Sequence, residues 1–286
     1  MAVDGRRLSL ATQFLDDCYK QFDGQDLSSK GNVVRNYTSP ATQVAYSVMY
    51  FAKHVGCWSA LRELLNDSAS TVYSIGAGPL FCLMGWYFDR PPSEGDKIYG
   101  LDFLDWAHVR GLGSHQALLA DVLDGAKPEL PTGLYFPDEL PPQCHVGVGQ
   151  NRAINAERIC EGSTVLFPMV LNHLLGGADP VADTNSLFAW FRRLQQRAGR
   201  IVIVDMEATK VPELWQRLEP LTALSGPPLF QFRAHSKRLS PCYGNHEISG
   251  RPPESERRTG IRYPQFCQVT ACTFERSRGW RWLVAG

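Results

Sequence analysis

Two kinds of apolar spacing alternate along this chain. Short runs rich in β-branched and aromatic residues occur at 71–75, 98–101, 164–167 and 201–204, each closed by glycine, proline or a charged position. Runs of that length with little polar alternation predict strands covered on both faces. Between and before them lie stretches with apolar residues at helical spacing: 8–22, 42–65, 80–88, 186–198 and 212–221. Ser39 and Pro40 predict the start of the second helix, as cap and first-turn residue, with Gly56 a candidate break inside it. Residues 266–274 and 280–284 flank the turn 275–279 and predict an antiparallel pair. From residue 70 onward strand and helix therefore alternate, the pattern of an α/β layer fold.

The first strand ends in the most informative segment, Ser74-Ile75-Gly76-Ala77-Gly78-Pro79-Leu80. Strand, glycine turn and helix follow one another without a spacer, and this is how bare backbone is offered to a nucleotide-bearing ligand. The dinucleotide fingerprint asks for a third small residue, and here that place falls on Phe81. A bulky ring there speaks against NAD or FAD. A second strand, 98–102, ends in Asp102, placed 24 residues beyond Gly78, about where an acid meets a ribose in nucleotide-binding βαβ units.

The segment 71–80 resembles motif I of class I S-adenosylmethionine-dependent methyltransferases, and the order of elements over 70–286 is similar to theirs. The resemblance implies a Rossmann-like, seven-stranded, mostly parallel sheet with helices on both faces, a C-terminal antiparallel hairpin and extra N-terminal helices. It divides the chain into an N-terminal helical cap (1–69) and a methyltransferase domain (70–286), with an insertion loop near 127–142 and a long Pro/Gly/Arg-rich loop near 235–262. It implies S-adenosylmethionine as cofactor, with Ser74, Gly76, Ala77, Gly78, Asp102, Phe103 and Pro168 around it. Asp102 takes the ribose hydroxyls and Phe103 the adenine face. Strand 3 has two candidates, 133–136 and 145–148, the second leaving 152–160 as a short helix before strand 4. Strand 4 is 164–167, followed by a run containing His173, and strand 5 is 200–205.

Methyl transfer from a sulfonium needs collinear donor and acceptor and exclusion of water, and a base only where the acceptor must lose a proton. His173 is the first candidate for that base or for positioning the acceptor, with Tyr37 and His54 second. Tyr46, Tyr50 and His54 recur every four residues and share one helix face, which either lines a substrate pocket or packs on the core. The stretch Phe167-Pro168-Met169-Val170 lacks the amide or carboxylate expected for exocyclic nitrogen acceptors, and no cysteine is placed for pyrimidine carbon methylation. An oxygen or amine on a small molecule or peptide is the expected acceptor. The alternatives are an RNA methyltransferase, an NAD- or FAD-dependent oxidoreductase, and an inactive methyltransferase-like binding module.

Composition adds little. A chain of 286 residues at 44% hydrophobic can bury a full core. Net charge is zero, but residues 192–286 carry +8 and residues 1–191 carry −8. This asymmetry admits RNA as a partner without any basic-aromatic module to bind it. Eight scattered cysteines with no C-x-x-C pair suggest neither a metal site nor a disulfide framework. With no membrane span or secretion signal read, a cytoplasmic enzyme with reduced thiols is expected.

Overall fold

The computed structural model describes residues 5–22, 37, 39–102, 106–124, 159–170, 180–206, 216 and 269–283. Two helices come first, α1 (Gly5–Gln21) and α2 (Pro40–Leu65). Then β1 (Thr71–Ile75), α3 (Phe81–Phe88), β2 (Lys97–Leu101), α4 (Ala107–Arg110) and α5 (Gly113–Val122) follow. Next come β3 (Thr164–Pro168), α6 (Pro180–Arg197), β4 (Arg200–Met206) and the hairpin β5 (Val269–Glu275) and β6 (Gly279–Trp282).

The six strands described form one sheet in the order β2-β1-β3-β4-β5-β6. The first four run parallel, and β5 and β6 are each antiparallel to the preceding strand. A seventh strand was expected. Both segments expected to supply strand 3 lie outside the described residues, as do residues 212–221 apart from 216, which is helical. The C-terminal pair falls where predicted, and its first arm, not its second, pairs with β4. One expectation is corrected: α2 runs unbroken through Gly56. Ser39 does precede it with extended backbone and Pro40 opens its first turn, although the Ser39 side chain makes no capping bond. α6 begins at Pro180, six residues before the predicted start.

Alternate residues of each buried strand enter different cores, as the two-residue period requires. Val72, Ile98, Leu166, Val202 and Val204 face α1, α2, α3 and α5, whereas Tyr73, Tyr99, Val165, Phe167, Ile201 and Ile203 face α6. The N-terminal helices share the first of these cores. Phe14 of α1, Phe51 of α2 and Phe81 of α3 meet edge to face with centroids 4.8–5.7 Å apart. The α2–α3 contact depends on Gly85, where an added Cβ would lie 2.6 Å from the Val55 carbonyl oxygen. Two arginines close the C-terminal end of α3. Arg7 donates to the Phe88 carbonyl (2.6 Å) and to Asp121 (3.1 Å), and Arg62 donates to the carbonyls of Trp86 (3.0 Å) and Arg90. They satisfy carbonyls that a helix end leaves without intrahelical partners.

The chain passes from β1 outward to β2 and then returns across β1 to β3. The sheet therefore reverses direction between β1 and β3, and in open α/β sheets ligands sit outside the carboxyl ends of the strands at that point.

Candidate functional site

The glycine turn leaves β1 at this reversal. Its backbone is held in the left-handed region at Gly76 (φ +72°), Gly78 (φ +53°) and Leu80 (φ +69°), and Met169 (φ +51°) does the same just beyond β3. Bulky residues rarely adopt that region, so both rims of the crevice carry backbone strain.

The two glycines serve different neighbours. A Cβ on Gly76 would lie 2.9 Å from Val170 Cβ and closer still to Val170 Cγ2, so this glycine admits the side chain that follows β3. A Cβ on Gly78 would meet only the Trp106 ring, at 3.8 Å. The close packing that a third small residue provides in dinucleotide folds is supplied from the next strand instead. A Cβ on Gly100 would come within 2.5 Å of Leu80 Cδ2, while Phe81 turns into the helical core.

The amides of the turn are committed. Those of Gly76 and Ala77 donate to the Leu101 carbonyl (2.7 and 3.0 Å), and that of Gly78 donates to Asp102 Oδ2 (2.6 Å). The carbonyls are held too. The Arg110 guanidinium donates to Gly78, and His115 Nε2 bonds the Pro79 oxygen at 2.8 Å. A pyrophosphate cradle needs free amides at this place, and this turn has given its three to β2 and Asp102.

Above the turn lies a group of rings. Trp106 packs 5.1 Å from Tyr46 and 5.5 Å from Tyr37 (centroids), and Tyr46 packs on Tyr50 at 4.9 Å. The Tyr46 hydroxyl and His54 Nε2 are 3.2 Å apart, with His54 only 4% exposed. Loss of hydration lifts the Tyr46 phenol well above its ordinary pKa, and nearby Tyr37, Tyr50, Cys82 and Asp102 add to the rise. Gln43 ties this group to α4, its amide donating to the Tyr37 carbonyl (2.9 Å) and its oxygen accepting from the Val109 amide (3.2 Å).

The residues expected at the site fall as follows. Gly76, Ala77, Gly78 and Asp102 converge at the crevice, and Tyr37 and His54 reach it through Tyr46 and Trp106. Ser74 is fully buried inside β1, 2.8 Å from the Cys82 thiol, whose pKa burial pushes up to about 12. Pro168 is the buried last residue of β3, in register with Val204. Phe103 and His173 lie outside the described residues. Trp106, Arg110, His115 and Gln43 were not foreseen. Trp106 and Arg110 do share one face at a four-residue spacing beyond Asp102, but that spacing alone has no chemical signature.

Among the described residues no group of three or more His, Cys, Asp or Glu is placed to hold a metal ion, and no helix is long and apolar enough to cross a membrane. Cys18, Cys82, Cys160 and Cys272 are free thiols.

No protein-family model and no curated protein sequence matches this chain. Solved structures do. A candidate O-methyltransferase from Nostoc punctiforme is similar at 16% identity and a TM-score of 0.36, over 74% of this chain and 56% of that one, so this chain spans little more than half of its length. An S-adenosylmethionine-dependent methyltransferase from Aquifex aeolicus is similar at 11% identity and a TM-score of 0.36, over 64% and 87%. The magnesium protoporphyrin IX methyltransferase of Synechocystis, solved with S-adenosylmethionine bound, is similar at 14% identity and a TM-score of 0.31, over 77% and 87%. All three of these solved structures are named as methyltransferases.

Proposed function

We propose that this protein is an S-adenosylmethionine-dependent methyltransferase whose acceptor is an oxygen or amine of a small molecule or peptide. The observation that carries the reading is the pairing of Asp102 with the Gly78 amide at the β1/β3 reversal. It sets a buried carboxylate where ribose hydroxyls can be bound, on a turn whose amides are already used. A nucleoside with an amino-acid tail suits that arrangement better than a dinucleotide does.

The donor, when bound, supplies a methyl group already activated on a sulfonium. What the chain contributes is position and dryness. Asp102 would accept from the ribose hydroxyls, Ala77 and Gly78 would border the tail, and the rings of Tyr37, Tyr46 and Trp106 would keep water from the reacting atoms. The aromatic face of α2 gives the acceptor an apolar wall, and its acid–base pair of Tyr46 with His54 could take a proton from a hydroxyl or ammonium acceptor.

Calorimetric titration with S-adenosylmethionine tests the reading. Binding is expected, and Asp102→Asn should weaken it about tenfold or more while still accepting the Gly78 amide. Absence of binding, or equal affinity in Asp102→Asn, overturns the proposal.

A further inference from the structure

Trp106 stands four residues beyond Asp102 and is 4% exposed, yet its indole Nε1–H has no hydrogen-bond partner among the described residues. A buried donor without an acceptor is a standing cost to a fold, and indole N–H groups that are buried usually find a partner. The edge of the ring that carries this N–H is the one facing the turn. Cε2, Cζ2 and Nε1 lie 3.8, 3.8 and 4.0 Å from the point where a Cβ on Gly78 would sit. Trp86 and Trp280 also have an unpartnered Nε1, but Trp86 lies in the helical core against Trp58, 6.0 Å between centroids, and Trp280 on β6 against Phe274 at 5.5 Å, both away from the turn. The neighbouring cation at the turn, Arg110, is engaged on the Gly78 carbonyl.

Gly78 is thus flanked by an acceptor and a donor. Asp102 Oδ2 lies 2.6 Å from its amide nitrogen, and the Trp106 N–H lies over its open side. A hydroxyl group is the natural complement, because it gives one proton and accepts another. The rings of Tyr46 and Tyr37 pack on the indole and fix its plane. We infer that Trp106 Nε1–H is a ligand-binding group of this site, donating to a ribose hydroxyl oxygen of the bound nucleoside whose own proton goes to Asp102. The inference rests on the donor-binding reading above and adds to it a residue that reads the sugar.

Trp106→Phe keeps a ring and removes the N–H. Adenosine carries the ribose without the amino-acid tail, and S-adenosylhomocysteine carries both. Calorimetry should show both ligands weakened about tenfold in the variant, while the ligand-free variant melts no lower than the parent because an unsatisfied donor has gone. Loss of affinity with retained or raised melting temperature marks a binding role, since a residue that merely packs would lower both. Unchanged affinity for both ligands overturns the inference. So does a loss confined to S-adenosylhomocysteine, which would assign the N–H to the carboxylate, and so does a fall in affinity and melting temperature together. Should the variant not fold, the wild-type protein labelled with 15N-tryptophan gives the answer. One of its seven indole N–H signals should move downfield on adding adenosine, and no movement overturns the inference. A wild-type protein that binds neither ligand overturns the methyltransferase reading itself.

Discussion

Val170 occupies the place that a side chain on Gly76 would need. The two residues stand just past the carboxyl ends of β1 and β3, so a glycine in one strand's exit turn admits a valine from the other's. Gly76→Ala introduces a clash with Val170 and a Cβ at φ +72°, and should destabilise the protein by about 2–4 kcal/mol. Val170→Ala in the same chain removes the overlap with Cγ2 but leaves Cβ 2.9 Å away, so it relieves the clash in part and leaves the backbone strain. The double variant should therefore recover part of that loss, a coupling that urea unfolding of the four proteins measures.

Gly78 and Gly85 make a contrasting pair. A Cβ on Gly78 meets Trp106 at ordinary contact distance, so Gly78→Ala carries only the left-handed backbone penalty, about 1–2 kcal/mol. Gly85 has helical backbone, yet a Cβ there runs into the main chain of α2 at Val55, which cannot swing aside. Gly85→Ala should destabilise by more than Gly78→Ala despite alanine's better helix propensity, by about 3 kcal/mol or more. Thermal unfolding that ranks the two variants the other way would refute this assignment of roles.

The difference between those glycines shows what the sequence could disclose. The strands at 71–75, 98–101, 164–167 and 201–204 were legible because each must be apolar on both faces, and the glycine turn because its order of strand, glycines and helix is a local pattern. The same sequence suggested that both glycines bare the backbone to a ligand. In the fold, Gly76 instead admits Val170, which is distant in sequence, and Gly100 does for Leu80 what the third fingerprint residue would have done. Trp106, Arg110 and His115 act on the turn through contacts of 28 to 36 residues' separation, which no periodicity records. Tyr46 and His54 were legible as one helix face, but whether that face packs or lines a site depended on where α2 lies over α3.

The arginines at the end of α3 should outweigh any surface pair. Arg7 is nearly buried and joins α1 to both Phe88 and Asp121, so Arg7→Ala leaves a helix-end carbonyl without its donor and the half-buried Asp121 carboxylate with Arg6 as its ion-pair partner. A loss of about 3 kcal/mol is expected. Lys20 and Asp17 form an exposed pair on α1, and Lys20→Ala should change stability by less than about 0.5 kcal/mol. Denaturant unfolding of the two variants side by side checks the ratio, and equal effects would mean that Arg7 is not the clamp its contacts imply.

A pH dependence of stability below neutrality should come from His115. Burial pulls its pKa down from 6.5 to about 4, the bond to the Pro79 carbonyl opposes that shift, and Arg110 adds to it. Its ring is therefore neutral at pH 7, with Nε2–H donated to Pro79 and Nδ1 without a partner among the described residues. In the unfolded chain the same ring takes a proton near pH 6.5, so between that value and about 4 the unfolded state binds more protons than the folded one. Stability then falls as pH drops through this window and is unaffected by His115 above it, the full loss being about 3 kcal/mol. His115→Gln can still donate an amide N–H to Pro79 but has nothing to titrate. Urea unfolding at about pH 7 and about pH 4.5 should show a steeper drop for the wild type than for the variant, by roughly 2–3 kcal/mol. Parallel curves for the two proteins would show that His115 is protonated, or exposed, in the folded state.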